Sequence, residues 1–460
     1  MVATISWTIM NFIDRMFLLW HSNSAMAAAT TSGTVYFAMI CFPLGVISYA
    51  NTFVAQYEGN GQPWRVGPVV WQAVWLSILF TPLFLIAIPL APALFAVAGH
   101  EERLLQLGIV YLQIMAWGAG GMVIATALST FYTGRGATRV VMLVDTWAAV
   151  CNIVLDYGMI FGHFGLPELG MAGAAWATVI ALWSKVIIYL ALIFAPRFAH
   201  KYHTREVRLD WSLLRRLVRF GAPSGLQMAT EMVAITLLIM LIGHLGEEEM
   251  VVTSMAFTIN SVAFMPLMGL GLAVSTIVGN QLGQDCPRLA ERATWNACRI
   301  AVTYAGIMAA FYVLAPDLFL MGHKAGLEAD NFDRLRGLTI VLLRFVGAYC
   351  VFDAIAITFI SAIKGAGDMR FVLLATLSTA IPPVLIAWSG IRFFNLGLIW
   401  CWVVITGWVL SLGMVYLLRF LQGKWKAMRV IEPIVIEPAE RAGEVAAACL
   451  ASETAADLSA

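Results

Sequence analysis

Long apolar runs, separated by short clusters of Gly, Pro and charged residues, occupy almost the whole chain. A segment that crosses a bilayer must satisfy its own backbone hydrogen bonds, and about 20 residues of helix span the hydrocarbon core. The pattern therefore predicts an all-α integral membrane protein with twelve transmembrane helices. Their predicted ranges are 1–20, 26–56, 68–96, 104–132, 139–162, 171–195, 216–244, 250–282, 295–321, 333–363, 371–391 and 397–421.

Two short motifs repeat at about half the chain length. TGRGATR at 133–139 is matched by KGAGDMR at 364–370, and VAQYEG ending at residue 59 is matched by VGNQLG ending at residue 283. A tandem repeat in a very apolar chain is typical of secondary transporters, which bind substrate and ions within or between two similar lobes. We interpret the first pair as tight turns in which glycine supplies positive φ and arginine lies at the lipid headgroups.

The repeat divides the chain into two pseudo-symmetric lobes of six helices each. The predicted N-lobe is 1–195, the predicted C-lobe is 216–423, and a basic linker at 196–215 joins them. Residues 424–460 are rich in Ala and Glu and show little periodicity, which predicts a disordered tail.

The distribution of Lys and Arg among the short loops predicts the orientation in the membrane. One side carries roughly three times as many as the other and is assigned to the cytoplasm, together with both termini. A cleavable signal peptide is not predicted, because the first apolar run contains Asp14 and Arg15. We therefore expect a multi-pass protein of the bacterial cytoplasmic (inner) membrane. Besides the linker, the basic side comprises Arg65, Arg135, Arg139, Arg288, Arg292, Lys364, Arg370, Lys424, Lys426 and Arg429.

Composition narrows the classes of function. The chain is 61% hydrophobic and only 12% charged, whereas soluble domains have about 25% charged residues. A net charge of +1 offers no basic surface for nucleic acid. The seven cysteines and seven histidines lack metal-ligand spacing, and we interpret the cysteines as small apolar residues rather than disulfides. No cluster of nucleophilic or acid–base residues indicates an enzyme, and no cofactor is predicted.

Acidic residues inside apolar helices are the main candidates for function. An ionised carboxylate in the membrane is costly unless a cation, a partner or a proton compensates its charge. Asp14, Glu231 and Asp353 each have apolar residues on both sides. Asn152 precedes Asp156 by four positions, so the two side chains share a helix face. Their oxygens suit a hard monovalent cation or a shared proton.

Two other acids are set aside, because Asp145 and Asp368 lie near predicted turns where water reaches them. A single buried acid is also explained by a polar contact between helices. Several acids with few bases in the same spans, namely Arg15, Lys185 and Arg344, are harder to explain by packing. The excess of negative charge predicts that the transported species are cations.

Seven motifs occur in a fixed order along the chain, up to about Leu421. They are NFID, VAQ, TGRGATR, NIVLDYGMIFG with GLPELGMAGAAWAT, FGAPSGLQMATE, GLAVSTIVGNQLG and FDAIAITFISAIKGAGDMR. This order resembles the multidrug and toxic compound extrusion (MATE) transporters. The resemblance implies two six-helix lobes related by a pseudo-twofold axis and a V-shaped cavity that opens alternately to each side. It also implies substrate efflux driven by inward flow of Na⁺ or H⁺.

By motif, the resemblance assigns cation coupling in the N-lobe to Asp14, Asn152, Asp156 and Thr178, the last being the Thr of GAAWAT. If sodium is the coupling ion, Na⁺ is expected at the same residues. Arg15 departs from the family, which usually has a small residue there. Its side chain faces a neighbouring helix, extends outward to the membrane surface, or reaches Asp14 and neutralises that carboxylate.

In the C-lobe the resemblance assigns cation coupling to Glu231 and Asp353. Aromatic and methionine side chains such as Phe257, Met265 and Phe352 are expected to stack on planar cations.

The leading hypothesis for function is a cation-coupled antiporter, driven by Na⁺ or H⁺, that exports organic cations and drugs as a monomer surrounded by membrane lipids. The alternative is a related flippase of lipid-linked saccharides. A flippase cavity for an anionic pyrophosphate is expected to contain several basic residues, whereas the interior charge of this chain is mostly acidic.

Overall fold

The computed structural model describes residues 2–96, 102–320 and 329–432 of the 460-residue chain. The regular secondary structure of these residues is entirely helical, which confirms the all-α prediction. Short 3-10 helices occur at Pro63–Arg65 and Lys424–Ala427. The α-helices of the described residues are α1 (Val2–His21), α2 (Asn23–Ser48), α3 (Ala50–Gly59), α4 (Val66–Ala96), α5 (Glu102–Thr133), α6 (Thr138–Phe161), α7 (Met171–Ile193), α8 (Pro196–Tyr202), α9 (Trp211–Gly243), α10 (Glu247–Gly283), α11 (Pro287–Leu314), α12 (Pro316–Leu320), α13 (Ala329–Ala366), α14 (Met369–Phe394) and α15 (Leu398–Leu421).

Eleven segments of the described residues are long and apolar enough to cross a bilayer. Each coincides with a span predicted from the sequence, and most boundaries agree within one or two turns of helix. The second predicted span runs through α2 and α3, which are separated at Tyr49. Helix α1 matches the first predicted span and lies outside those eleven.

The described residues divide into two compact units, one comprising Val2–Met228 and the other beginning at Ala229. The division falls inside α9, so this helix contributes to both units. The basic segment 196–215, which the sequence analysis assigns to a linker, belongs entirely to the first unit.

Part of this basic segment is hydrogen-bonded to α4. The indole N–H of Trp71 donates to the carbonyl of Thr204 at 2.8 Å, and the side-chain amide of Gln72 donates to the carbonyl of Arg208 at 3.0 Å. These bonds satisfy backbone groups that lie outside regular helix. The chain between α8 and α9 is therefore fixed against α4 before α9 begins.

In the second unit, α13 is the central helix and packs against α10, α11 and α15. Leu342 on α13 and Trp402 on α15 are completely buried in this core. The middle of α13, which carries Asp353, is therefore held by three neighbouring helices.

The two repeated turns have the same local construction. A Cβ atom on Gly134 would lie 2.6 Å from the side chain of Val54, and one on Gly365 would lie 2.5 Å from the carbonyl oxygen of Ser275. The second glycine of each motif has positive φ, +73° in TGRGATR and +106° in KGAGDMR. Glycine is therefore required twice in each turn, once for close packing and once for backbone conformation.

The first residues of the predicted tail are ordered, which differs from the sequence expectation. The Trp425 ring is completely buried, stacks on Phe420 and donates its indole N–H to the Phe420 carbonyl at 2.9 Å. Lys426 pairs with Glu291 at 2.6 Å. One large aromatic side chain and an ion pair outweigh the polar composition of this stretch. The rest of the tail, 433–460, lies outside the described residues.

Five cysteines are free thiols, in agreement with their interpretation as small apolar residues. They are Cys41, Cys151, Cys298, Cys350 and Cys401. That interpretation is wrong for Cys286, which is disulfide-bonded.

Candidate cation-binding site

Helix α6 presents a polar face inside the first unit. Asn152 and Asp156 are both completely inaccessible to solvent, and their spacing of four residues places them on one side of the helix. This confirms the shared face that the sequence predicts.

Helix α7 adds Thr178 to this face. The side-chain amide of Asn152 donates to the Thr178 hydroxyl at 3.3 Å, and Thr178 is also buried. The two helices approach closely because α7 begins with small residues: a Cβ atom on Gly173 would lie 2.5 Å from the carbonyl oxygen of Met159. The GAAWAT motif therefore serves as a packing surface that brings its threonine to the asparagine.

Helix α1 packs against α6 and contributes Asp14. The Asp14 and Asp156 carboxylates are near enough for their negative charges to repel each other. The structure thus brings the four predicted N-lobe residues, Asp14, Asn152, Asp156 and Thr178, to one place on three helices.

The oxygen atoms of this cluster are its main chemical feature. Asp14 Oδ1, Asn152 Oδ1 and both carboxylate oxygens of Asp156 are buried and have no hydrogen-bond partner among the described residues. A buried acceptor without a partner costs about 1–3 kcal/mol, and more if it is charged. These acceptors suit a bound proton or a hard cation such as Na⁺, either of which would reduce the repulsion between the carboxylates.

The side chain of Arg15 contacts a neighbouring helix. Its Nη1 donates to the Thr30 hydroxyl on α2 at 2.6 Å. Arg15 also attracts the adjacent Asp14 carboxylate through space. Among the possibilities that the sequence leaves open, the structure therefore shows a hydrogen bond from Arg15 to a neighbouring helix.

Two tyrosines near the cluster are not predicted by the sequence analysis. Tyr36 on α2 and Tyr111 on α5 are each only 7% exposed. The Tyr36 hydroxyl is buried and has no hydrogen-bond partner among the described residues, and Tyr111 interacts electrostatically with both Asp14 and Asp156. The only indication of their role in the sequence is that they are tyrosines within apolar spans, because a buried tyrosine hydroxyl usually needs a polar partner.

The second unit contains the predicted acids Glu231 on α9 and Asp353 on α13, whose negative charges repel each other. Asp353 lies on the wall of a cavity of about 140 Å³, together with Tyr349 and Asn260. The remaining lining residues are largely apolar or aromatic: Ile235, Leu238, Phe257, Phe264, Ile405, Trp408 and Val409.

Of the three side chains expected to stack on planar cations, Phe257 lines this cavity, whereas Met265 and Phe352 are not among its lining residues. The Trp408 indole nitrogen on the same wall is buried and lacks a hydrogen-bond partner among the described residues. The cavity thus combines aromatic surface, a free indole donor and a carboxylate.

Lys364 corrects the sequence analysis, which assigned it to a loop. It lies inside the apolar span Leu335–Ala366 and attracts Glu231 electrostatically. It follows Asp353 by eleven residues, about three helical turns, so the two share a face of α13. Glu231 therefore has a basic neighbour, which the sequence analysis did not predict.

The two acids that the sequence analysis set aside both pair with bases. Asp145 lies 2.6 Å from the ammonium of Lys185, and Asp368 lies 2.6 Å from the guanidinium of Arg419. The sequence analysis expected water to reach Asp368. The residue is only 7% exposed, however, and its charge is neutralised by the arginine instead.

Together, the helical spans and the buried oxygen cluster define a multi-pass membrane transporter. A family model described as MatE matches residues 1–158 and 223–388, which is more than half of the chain. The chain therefore belongs to the MatE family. It is a multidrug efflux transporter of the MATE type and not an enzyme.

Two curated relatives span most of the chain. Multidrug resistance protein PmpM of Pseudomonas aeruginosa is 27% identical over 383 residues, which cover 82% of this chain and 78% of the relative. The protein of Thermotoga maritima named Probable multidrug resistance protein NorM is 25% identical over 423 residues, covering 91% and 89%.

Solved structures show the same fold. The outward-facing conformation of a multidrug resistance MATE family transporter of the MOP superfamily matches with a TM-score of 0.84 at 21% identity, covering 93% of this chain and 94% of that one. The eukaryotic MATE transporter AtDTX14 matches with a TM-score of 0.83 at 19% identity, covering 92% and 94%. These similarities confirm the all-helical membrane fold.

Proposed function

We propose that this protein is a cation-coupled antiporter that exports organic cations across the bacterial cytoplasmic membrane, with both termini in the cytoplasm. The coupling ion, H⁺ or Na⁺, binds at the N-lobe cluster of Asp14, Asn152, Asp156 and Thr178. The observation that carries the proposal is the set of four buried acceptor oxygens without hydrogen-bond partners among the described residues. The orientation rests on the excess of Lys and Arg in the loops of one side.

Binding of the coupling ion changes the balance of charge in the cluster. Without it, two carboxylates repel each other in a poorly hydrated environment; with it, the repulsion falls and α1 and α6 are drawn together through the bound ion. A conformational change follows only if the ion binds one state of the transporter more tightly than the other. The position of Asp14 on a separate helix from Asp156 supplies this difference, because a movement of α1 changes the distance between the carboxylates.

The substrate is an organic cation that interacts with the acids of the C-lobe. Asp353 provides negative charge, and aromatic side chains such as Phe257 provide a surface for a planar cation. The relatives named as multidrug resistance proteins support this class of substrate. Glu231 and Asp353 then bind either a coupling cation or the substrate, so that these two ligands compete for the same carboxylates.

A flippase for lipid-linked saccharides is less well supported. A pyrophosphate cargo requires unpaired basic groups. Lys185 and Arg419 in the apolar spans are each paired with an aspartate at 2.6 Å, and Lys364 interacts electrostatically with Glu231.

The test is efflux of ethidium from an efflux-deficient bacterial host, with the proton and sodium gradients collapsed separately. Asp14→Asn and Asp156→Asn are each expected to lower the efflux rate by at least about tenfold while the protein remains in the membrane, because the amide cannot bind the coupling ion as a carboxylate does. Asp317→Asn is the matched control, since Asp317 lies outside the apolar spans of the described residues and forms an exposed pair with Arg336. Wild-type efflux that survives loss of both gradients together would contradict coupled antiport.

A further inference from the structure

A small cavity lies beside the N-lobe cluster, between α6 and α7, and Met10 of α1 also lines it. Its volume is about 70 Å³, enough for a few water molecules. One end is formed by Thr178, which hydrogen-bonds to Asn152 in the cluster. The other end is formed by Asp145 and Lys185, and small residues such as Ala149 and Ala181 make room between the two ends.

Helical spacing explains why both ends face one cavity. Asp145 precedes Asn152 by seven residues on α6, and Lys185 follows Thr178 by seven residues on α7. Seven residues are about two helical turns, or roughly 10 Å along the axis, so each pair of residues shares a helix face. The ion pair thus lies two turns from the cluster, on the side of the TGRGATR turn that precedes α6.

The ion pair itself is unusual for its position. The Lys185 ammonium lies 2.6 Å from Asp145 Oδ1, and the two side chains are 18% and 19% exposed, so both are largely enclosed by the protein. Both residues lie inside apolar spans, where an ionisable pair is costly and is a candidate for an ion pathway. A pair kept only for packing would not need to line a cavity that continues to the cation site.

Further polar groups continue from the pair toward the TGRGATR turn. Tyr189 lies one turn beyond Lys185 on α7 and interacts electrostatically with Asp145. Its ring stacks on Tyr132 of α5 with centroids 6.0 Å apart, and Tyr132 directly precedes the turn. Both tyrosine hydroxyls are buried and have no hydrogen-bond partner among the described residues.

We propose that the cavity between α6 and α7 is the route by which a coupling proton leaves the N-lobe cluster toward the TGRGATR side, and that the Lys185–Asp145 ion pair is its proton-selective gate. The proposal rests on the proposed antiport function. Among the described residues, Arg15 of α1 and Tyr111 of α5 interact electrostatically with the acids of the cluster, and Tyr189 of α7 interacts with Asp145. Tyr36 of α2 interacts in turn with Tyr111, and Tyr132 of α5 with Tyr189.

The transfer conserves charge at every step. In the proposed transfer, the proton leaves the Asp156 carboxyl group and reaches cavity water past Thr178, the residue of the cluster that lines the cavity, and this water passes a proton to the Asp145 carboxylate. Neutral Asp145 releases the Lys185 ammonium, then loses its proton to water on the far side, and the ion pair forms again. A sodium ion has no equivalent route, because it cannot be passed on by bond exchange and must approach the ammonium closely against charge repulsion.

The test uses dye efflux in membrane vesicles driven by an imposed proton gradient, together with ethidium binding to the purified protein. In Lys185→Met, we expect proton-driven efflux to fall by at least about tenfold, while ethidium binding stays within about twofold of wild type. Lys185→Arg is expected to restore efflux, because it keeps a permanent cation beside Asp145. In Lys185→Met, Asp145 is left without its cation, and added Na⁺ is expected to inhibit the remaining efflux.

Two controls separate a gate from a structural ion pair. Arg336→Met removes the base from the exposed Arg336–Asp317 pair and is expected to leave both readouts unchanged. The neutral double variant Asp145→Asn/Lys185→Gln can still form a hydrogen bond between the two side chains and replaces Lys185→Met if that variant does not fold. It is expected to lose proton-driven efflux as well. A structural role would lower protein yield or thermal stability but would not create inhibition by Na⁺.

Three outcomes have distinct meanings. Wild-type rates of proton-driven efflux in both Lys185→Met and Asp145→Asn/Lys185→Gln would overturn the gate. Efflux by the wild-type protein that is driven by the sodium gradient alone would also overturn the gate, although coupled antiport would then stand. The absence of gradient-dependent efflux in the wild type would instead contradict the proposed function. Loss of efflux with retained dye binding and new inhibition by Na⁺ supports the gate.

Discussion

At the scale of single residues, the position of each carboxylate relative to its neighbours decides its role. Asp145 and Asp368 each have a base at 2.6 Å, and their negative charge is neutralised within the protein. Asp156 has two buried oxygens without a hydrogen-bond partner among the described residues, and its nearest acid, Asp14, adds repulsion. Although all three are aspartates, Asp368 is therefore structural, Asp145 belongs to the proposed gate, and Asp156 is a candidate ion ligand.

Asp210 shows the structural role outside the apolar spans. It caps α9: its Oδ1 accepts hydrogen bonds from the backbone N–H groups of Ser212 at 2.9 Å and Leu213 at 3.2 Å, and from the Ser212 hydroxyl at 2.6 Å. The hydrogen bond from the Ser212 hydroxyl contributes most to holding the pKa of Asp210 below its usual value.

Asp210→Ala is expected to lower the stability of the protein by about 1 kcal/mol, because the first N–H groups of α9 lose their acceptor. Asp210→Asn keeps an acceptor and is expected to lose less. Since folding lowers the pKa, the contribution of the charged cap is present above the unfolded pKa of about 3.9 and is lost as the pH falls through the lower folded value. The measurement is Tm in detergent at neutral pH, and equal Tm values for Asp210→Ala and wild type would contradict the capping role.

At the scale of helices, hydrophobic pattern was sufficient to locate the spans, because each helix must satisfy its own backbone in the bilayer. It was not sufficient for contacts between helices. Tyr36 and Tyr111 approach the cluster from α2 and α5, and nothing in their local sequence indicates that these two helices converge on Asp14. Thr178 was predicted only through the family motif, since a threonine in a small-residue segment usually serves packing.

Lys364 illustrates the same limit. As the first residue of KGAGDMR, it was placed in a loop, yet α13 continues to Ala366 and Lys364 lies within the apolar span. Its interaction with Glu231 depends on the position of α9 against α13, which is a tertiary property. The acids of the candidate site were thus predictable from their apolar flanks, whereas their neutralising partners were not.

The close approach of α6 and α7 provides a prediction at this scale. Gly173→Ala is expected to destabilise the protein by about 1–2 kcal/mol, because the new methyl group would meet the Met159 carbonyl at 2.5 Å and push the helices apart. The same shift would weaken the Asn152–Thr178 hydrogen bond and lower efflux. Tm in detergent and ethidium efflux measure the two effects.

Gly306→Ala in α11 is the matched control, since a Cβ atom there would meet no atom of the other described residues within 4 Å, apart from its own helix backbone. It is expected to be neutral or to raise stability by up to about 1 kcal/mol through helix propensity. Equal effects of the two substitutions on Tm would show that close packing at Gly173 does not hold α7 against α6.

At the scale of the whole molecule, the tandem repeat has produced two lobes with different charge environments. The turns remain alike, with glycine required at equivalent positions of TGRGATR and KGAGDMR. The acid clusters have diverged: Asp14 and Asp156 lie near a small cavity that contains the Lys185–Asp145 ion pair, whereas Asp353 lies on the wall of a larger and mainly apolar cavity. This difference supports a division of labour in which the first cluster binds the coupling ion and the second attracts the organic cation.

The division of labour predicts that substitutions in the two lobes affect different steps. Asp353→Asn is expected to weaken ethidium binding by about tenfold, or about 1.4 kcal/mol, because the dye loses the carboxylate beside the aromatic wall. Asp156→Asn is expected to change the dye affinity by less than about twofold at constant pH and to lose ion-driven efflux instead. Fluorescence titration of the purified protein measures the affinity, with Asp317→Asn as the control for removing a negative charge elsewhere. If Asp156→Asn weakened dye binding as much as Asp353→Asn, binding of the dye would depend on the carboxylates of both lobes. The two lobes would then not divide these roles.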